Sequence, residues 1–151
     1  MPTLHIMLND DLEWSRGKRA AHAIHAALYT LGVRYTTPVR VLNANATEAQ
    51  ELPITVTERG TDDVIVAAAN IPLREALVVR TVNRKRDTRD DTARNAVRAA
   101  LAAYALPDHD IVIESCDRAA FNNPFLRVIC DAGKTELEPG TVTAAALLKD
   151  S

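Results

Sequence analysis

Apolar residues recur along this chain in two rhythms, and the switches between them mark out the elements. Leu4, Ile6 and Leu8 alternate with Thr3, His5 and Met7, which predicts a strand over Thr3–Leu8. A polar stretch through Trp14 follows. Ser15 then offers an N-cap, and Ala20, Ala23, Ile24, Ala27, Leu28 and Leu31 fall at the spacing of a buried helical stripe that Gly32 stops. Val39–Leu42 and Ile54–Glu58 are predicted strands flanking polar Asn43–Glu51, and Val64–Ala69 fits a strand or a helix. Leu77–Val82 reads as another strand. Thr88 with Asp91 three positions on is a capping-box signature, opening a helix with Ala93, Val97, Ala100, Leu101 and Tyr104 on one side. That helix ends before Pro107. Ile111–Glu114, Leu126–Cys130 and Val142–Leu148 complete the set as strands. Alternation of strand and helix predicts an α/β fold, a mixed sheet of four or more strands flanked by helices. No internal repeat stands out.

Composition narrows the class. With 151 residues, 47% hydrophobic and 25% charged, the chain has the profile of a single soluble domain over 1–151, large enough for a core without disulfides or structural metal. Cys116 and Cys130 form no C-x-x-C, so a reducing cytoplasmic setting is expected and no metal site is read. No run approaches the about 18 apolar residues of a membrane helix, and the start lacks the pattern of a secretory signal. Neither G-x-G-x-x-G nor G-x-x-x-x-G-K-[ST] occurs, so no nucleotide cofactor is expected.

The net charge of −2 argues against a generic nucleic-acid coat, but position changes its meaning. Residues 16–40 carry Arg16, Lys18, Arg19, Arg34 and Arg40 with no acid. Residues 74–98 carry Arg74, Arg80, Arg84, Lys85, Arg86, Arg89, Arg94 and Arg98 against Glu75, Asp87, Asp90 and Asp91. Two basic tracts with an acidic remainder allow a local anion-binding surface.

Two segments carry candidate chemistry. On the first helix, Lys18, His22, His25 and Tyr29 fall in a band opposite the apolar stripe, which places them outside the core, exposed or lining a cleft. No acid or thiol stands near His22 and His25 at ligand spacing, which disfavours a metal. Arg16, Lys18 and Arg19 crowd the helix start, where free N–H groups and the macrodipole already attract anions. The second segment, Asp131-Ala132-Gly133-Lys134-Thr135 with Pro139-Gly140 and Thr143, follows a predicted strand, where ligands collect in open α/β sheets.

Gly17-Lys18-Arg19-Ala20-Ala21-His22-Ala23-Ile24-His25-Ala26 together with Asp131-Ala132-Gly133-Lys134-Thr135 resembles the type-2 peptidyl-tRNA hydrolase family, which shows G-K-x-A-A-Q-x-x-H-A and D-A-G-x-T-x-[IV]-x-x-G-x-x-T. The resemblance covers roughly residues 1–31 and 110–151. It implies a peptidyl-tRNA hydrolase type-2-like fold, a role in translation, and hydrolysis of the ester between peptide and terminal ribose. Lys18, Asp131 and Thr135 become catalytic candidates, with His22, His25 and Thr143 supporting. Arg16, Arg19, Lys134, Arg84 and Arg86 are candidate tRNA contacts, and a homodimer is left open.

The chain departs from the family pattern at three places. His22 stands where the family has Gln; residues 32–109, read as an insertion of mixed strands and one helix, replace a short connection; and the helix before the last motif is reduced to Asp117–Asn122. Two other functions stay open: a relative that binds tRNA or a phosphorylated ligand without hydrolysis, and an interaction module built on the insertion, with Trp14, Phe121 and Phe125 as anchors or as ordinary core.

Overall fold

A computed structural model describes residues 2–33, 38–73, 75–124, 126–130 and 141–149. The elements in chain order are β1 (Thr3–Asn9), α1 (Arg16–Thr30), β2 (Val39–Asn43), α2 (Ala46–Ala49), β3 (Ile54–Thr57), β4 (Ile65–Ala69), β5 (Leu77–Thr81), α3 (Arg89–Ala103), β6 (Asp110–Cys116), β7 (Val128–Cys130) and β8 (Val142–Lys149). A 3-10 turn, Arg118–Asn122, lies between β6 and β7. Capping explains the helix starts. The Ser15 hydroxyl accepts from the Lys18 N–H, and Thr88 and Asp91 form the expected reciprocal box. The polar stretch Asn43–Glu51 contains α2, because Asn45 and Glu48 make the same box there.

The strands form two sheets rather than one, ordered β6-β1-β8-β7 and β2-β5-β4-β3. The segments 1–31 and 110–151 supply the first sheet and α1. Residues 32–109 supply the second sheet and two helices, α2 and α3, where a single helix was expected. In the first sheet β1 pairs parallel with β6 and antiparallel with β8, which pairs antiparallel with β7. In the second, β5 pairs parallel with β2 and antiparallel with β4, which pairs antiparallel with β3.

The two sheets therefore share one plan, and residue register shows that they are copies. Leu4 pairs with Ile111 and Ile6 with Ile113; Leu77 pairs with Val39 and Val79 with Val41. Ala144, Ala145 and Ala146 face Leu8, Met7 and Ile6, as Ala67, Ala68 and Ala69 face Thr81, Arg80 and Val79. A register shift falls between Ile129 and Cys130 and again between Val56 and Thr57. α1 and α3 are both 15 residues long and, 73 positions apart (16 to 89), share Arg16/Arg89, Ala20/Ala93, Ala23/Ala96, Ala26/Ala99, Ala27/Ala100 and Leu28/Leu101. Both end alike: the Val33 N–H reaches the Leu28 carbonyl and the Leu106 N–H the Leu101 carbonyl, each at 2.9 Å, with Gly32 and Ala105 at φ +89° and +55°. The expectation of no internal repeat is thus corrected. The repeat escapes a linear reading because its strands are short and its β3–β4 and β7–β8 connections differ in length.

Each half of the chain lends its first strand to the other's sheet: β1 borders only β6 and β8, and β5 only β2 and β4. One core follows, with Leu4, Ile6, Ile24, Ala27, Leu77, Val79, Val97 and Ala100 in a single cluster. α1 packs against α3, against β1, β7 and β8, and against β2 of the other sheet. α3 packs against β3, β4 and β5 and against β6. Helices covered on several sides have room only for small side chains, which accounts for their alanines. No helix of the described residues is long and apolar enough to cross a membrane.

Candidate functional site

The carboxyl ends of β1, β6 and β7 share one edge of the first sheet, and the chain enters α1 from that edge. Asn9, buried at the end of β1, donates from Nδ2 to the Val142 carbonyl at 2.7 Å, tying the start of β8 to the same place. Beside this edge lies a cleft of about 380 Å³ lined by Ser15, Gly17, Lys18, Ala21, His22 and His25 of α1 and by Val39 and Val41 of β2. Gly17 lets the two walls approach. A Cβ there would sit 2.9 Å from the Val41 carbonyl oxygen, a clash with backbone. The wall from β2 was not legible in the sequence, since nothing local relates Val39 and Val41 to the first helix.

Lys18 and His25 line the cleft, as the helical spacing predicts. His25 is held below its usual 6.5, first by burial and then by the Lys18 charge, so it is neutral at pH 7. His22 lines the cleft too, but its expected place outside the core is corrected. It is 6% exposed, with Trp14 packed against its ring at 5.6 Å and Thr143 of β8 at its Nδ1. The Thr143 hydroxyl lies 2.7 Å from His22 Nδ1 and donates to the Ile129 carbonyl at 3.1 Å. One hydroxyl proton cannot serve both contacts, so Nδ1 carries the proton shared with Thr143, and in the neutral ring Nε2 is the acceptor. The Trp14 indole N–H is buried with no acceptor among the described residues. Asp131, Lys134 and Thr135 lie outside the described residues; what flanks them, Cys130 and Val142, pairs at the sheet edge next to the helix start.

The cationic helix start is mostly committed elsewhere. Arg19 is 2% exposed and donates to the Asp90 carboxylate at 2.6 Å, to the Arg89 carbonyl and to Ser115. Its expected role as a tRNA contact is corrected: it joins the starts of the two helices. Arg16 donates to the Asp87 carbonyl and Thr92 hydroxyl at 3.3 and 3.4 Å. Arg84 makes a two-pronged pair with Glu58, both bonds 3.0 Å, and also binds Asp87, which leaves it a structural clamp rather than an open phosphate contact. Arg86 is mostly exposed and pairs with Glu58. Phe121 is buried, as ordinary core packing requires, and is no exposed anchor; Trp14 is packed against the core, and Phe125 lies outside the described residues. No group of three or more metal-ligating side chains occurs among the described residues.

Comparison with known proteins finds no matching family model, curated protein or solved structure.

Proposed function

We propose that the chain hydrolyses the ester of peptidyl-tRNA, releasing the peptide as its carboxylate and the tRNA with its ribose hydroxyl restored. The observation that carries this reading is the Thr143–His22 hydrogen bond at a cleft shared by Lys18 and His25, joining the two motif-bearing segments across 121 positions. Water attacks the ester carbonyl, Asp131 accepts its proton, and Thr135 positions it. Lys18 meets the negative charge that develops on the carbonyl oxygen, near a helix end that favours the same charge. His22 and Thr143 hold the cleft wall in place, and neutral His25 adds no competing cation.

General-base help contributes about 10²–10⁴-fold and a placed oxyanion donor about 10²–10³-fold. Lys18→Ala and Asp131→Asn are each expected to slow deacylation of N-acetyl-aminoacyl-tRNA by at least about 10²-fold, while unblocked aminoacyl-tRNA is a poor substrate throughout. Wild-type turnover in both variants overturns the assignment. Salt-sensitive tRNA retention without turnover by the native chain would make this a binding protein instead.

A further inference from the structure

The internal repeat gives the cleft a counterpart. On α3 the positions of Lys18, Ala21, His22 and His25 are taken by Asp91, Arg94, Asn95 and Arg98, and these four line a second cleft of about 280 Å³ with Glu58 and Arg59 after β3, Val66 of β4 and the turn before α3. In sequence, Glu58-Arg59-Gly60 follows β3 as Asp131-Ala132-Gly133 follows β7. Equivalent places carry different chemistry.

Five arginines reach this cleft, Arg59, Arg84, Arg86, Arg94 and Arg98, against three carboxylates. Glu58 serves Arg84 and Arg86, Asp87 serves Arg84, and Asp91 serves Arg94. At the rim Arg59 pairs with Asp108 and Asp110. Arg98 makes no salt bridge among the described residues, the Asp108 carboxylate acting on its charge only at longer range. One of its terminal nitrogens donates to the Thr57 carbonyl at 2.9 Å, and its Nε–H is buried without an acceptor. A half-buried guanidinium with an orphaned donor, in a cavity lined by arginines, is an incomplete arrangement.

We propose that the second cleft is an anion site for a phosphate group, with Arg98 Nε–H and Arg94 donating to its oxygens, and that it performs no hydrolysis. A tetrahedral oxyanion accepts from several directions at once and matches planar guanidinium forks set one turn apart on α3. Hydrolysis is excluded by Asp91. It puts a carboxylate where the first cleft has Lys18, and that carboxylate is already spent on the Thr88 N–H and on Arg94. The absence of hydrolysis rests on the role proposed for Lys18, whereas the phosphate site does not.

The test is a titration of the full chain with inorganic phosphate, at constant ionic strength against chloride, following the arginine Nε–H resonances by NMR. Arg98 Nε–H is expected to move saturably, and Arg98→Met or Arg94→Ala to weaken binding by about tenfold or more; the partly exposed Arg94 keeps the test valid should Arg98→Met fail to fold. Lys18→Ala, which disables the proposed hydrolysis, is expected to leave phosphate binding intact. A short RNA hairpin that displaces the phosphate identifies a backbone phosphodiester as the occupant. A hairpin without effect identifies a free phosphate or small phosphomonoester. An Arg98 resonance that does not respond to phosphate, or binding unchanged in the folded variants, overturns the proposal.

Discussion

His25 and Arg19 stand three helical positions to either side of His22, and burial disfavours the charged form of both, but their neighbours differ in sign. His25 loses affinity for a proton on folding, so between its lowered value and about 6.5 the unfolded chain binds more protons. Stability is therefore full above about pH 6.5 and declines as pH falls through that window. Urea midpoints measured from pH 7.5 to 5 are expected to show this slope, and His25→Gln to flatten it; an unchanged slope contradicts the assignment. Arg19 instead stays charged, its burial opposed by the Asp90 carboxylate. Since Asp90 is partly exposed, Arg19→Met is expected to cost about 1–3 kcal/mol by denaturant unfolding, with Asp90 relaxing into solvent. The sequence separated Lys18 and His25 correctly from the apolar stripe. It could not place His22, because the groups that bury it, Thr143 and the Trp14 ring, come from β8 and from the loop before the helix.

Helices and turns were the most legible elements, because caps and periodicity are local. Ser15, Thr88 and Gly32 act as their residue types dictate. Ala105 is the exception that the repeat explains: it occupies the left-handed position that Gly32 fills in the other copy. Ala105→Gly is expected to raise stability by about 0.5–1 kcal/mol, read from the thermal midpoint, and Gly32→Ala to lower it by a similar amount. Between the helices, Ala27 and Ala100 are completely buried at matching positions. Enlarging either to Leu overfills a closed space and is expected to cost about 1–3 kcal/mol, by similar amounts at the two sites. A site that absorbs Leu without loss would show that the alanines are not set by packing.

At the scale of the molecule, the exchange of first strands makes each sheet the joint product of both halves. A fragment of residues 1–75 has β1 without β6 and β8, and 76–151 has β5 without β2 and β4. Neither fragment alone is expected to unfold cooperatively as a monomer, whereas mixing them is expected to restore a one-to-one complex with a single urea transition. Two independently folded monomers would show that the exchange is not essential. The same architecture recasts the basic tracts: Arg16, Arg19 and Arg84 face partners across the repeat, while Lys18 lines one cleft and Arg94 and Arg98 the other.

Alternation, caps and helical stripes determined by themselves where nearly every element lies and that the fold is α/β, since each depends on residues a few positions apart. Which strand joins which sheet was decided only in three dimensions. Leu4-Ile6-Leu8 and Leu77-Val79-Thr81 are similar buried alternations, and either offers a parallel neighbour the same ladder of hydrogen bonds. The choice between them rests on the packing of α1 and α3 against strands from both halves, an energy spread over contacts distant in the chain. The burial of His22, the β2 wall opposite Lys18 and the second, arginine-lined cleft all follow from that choice.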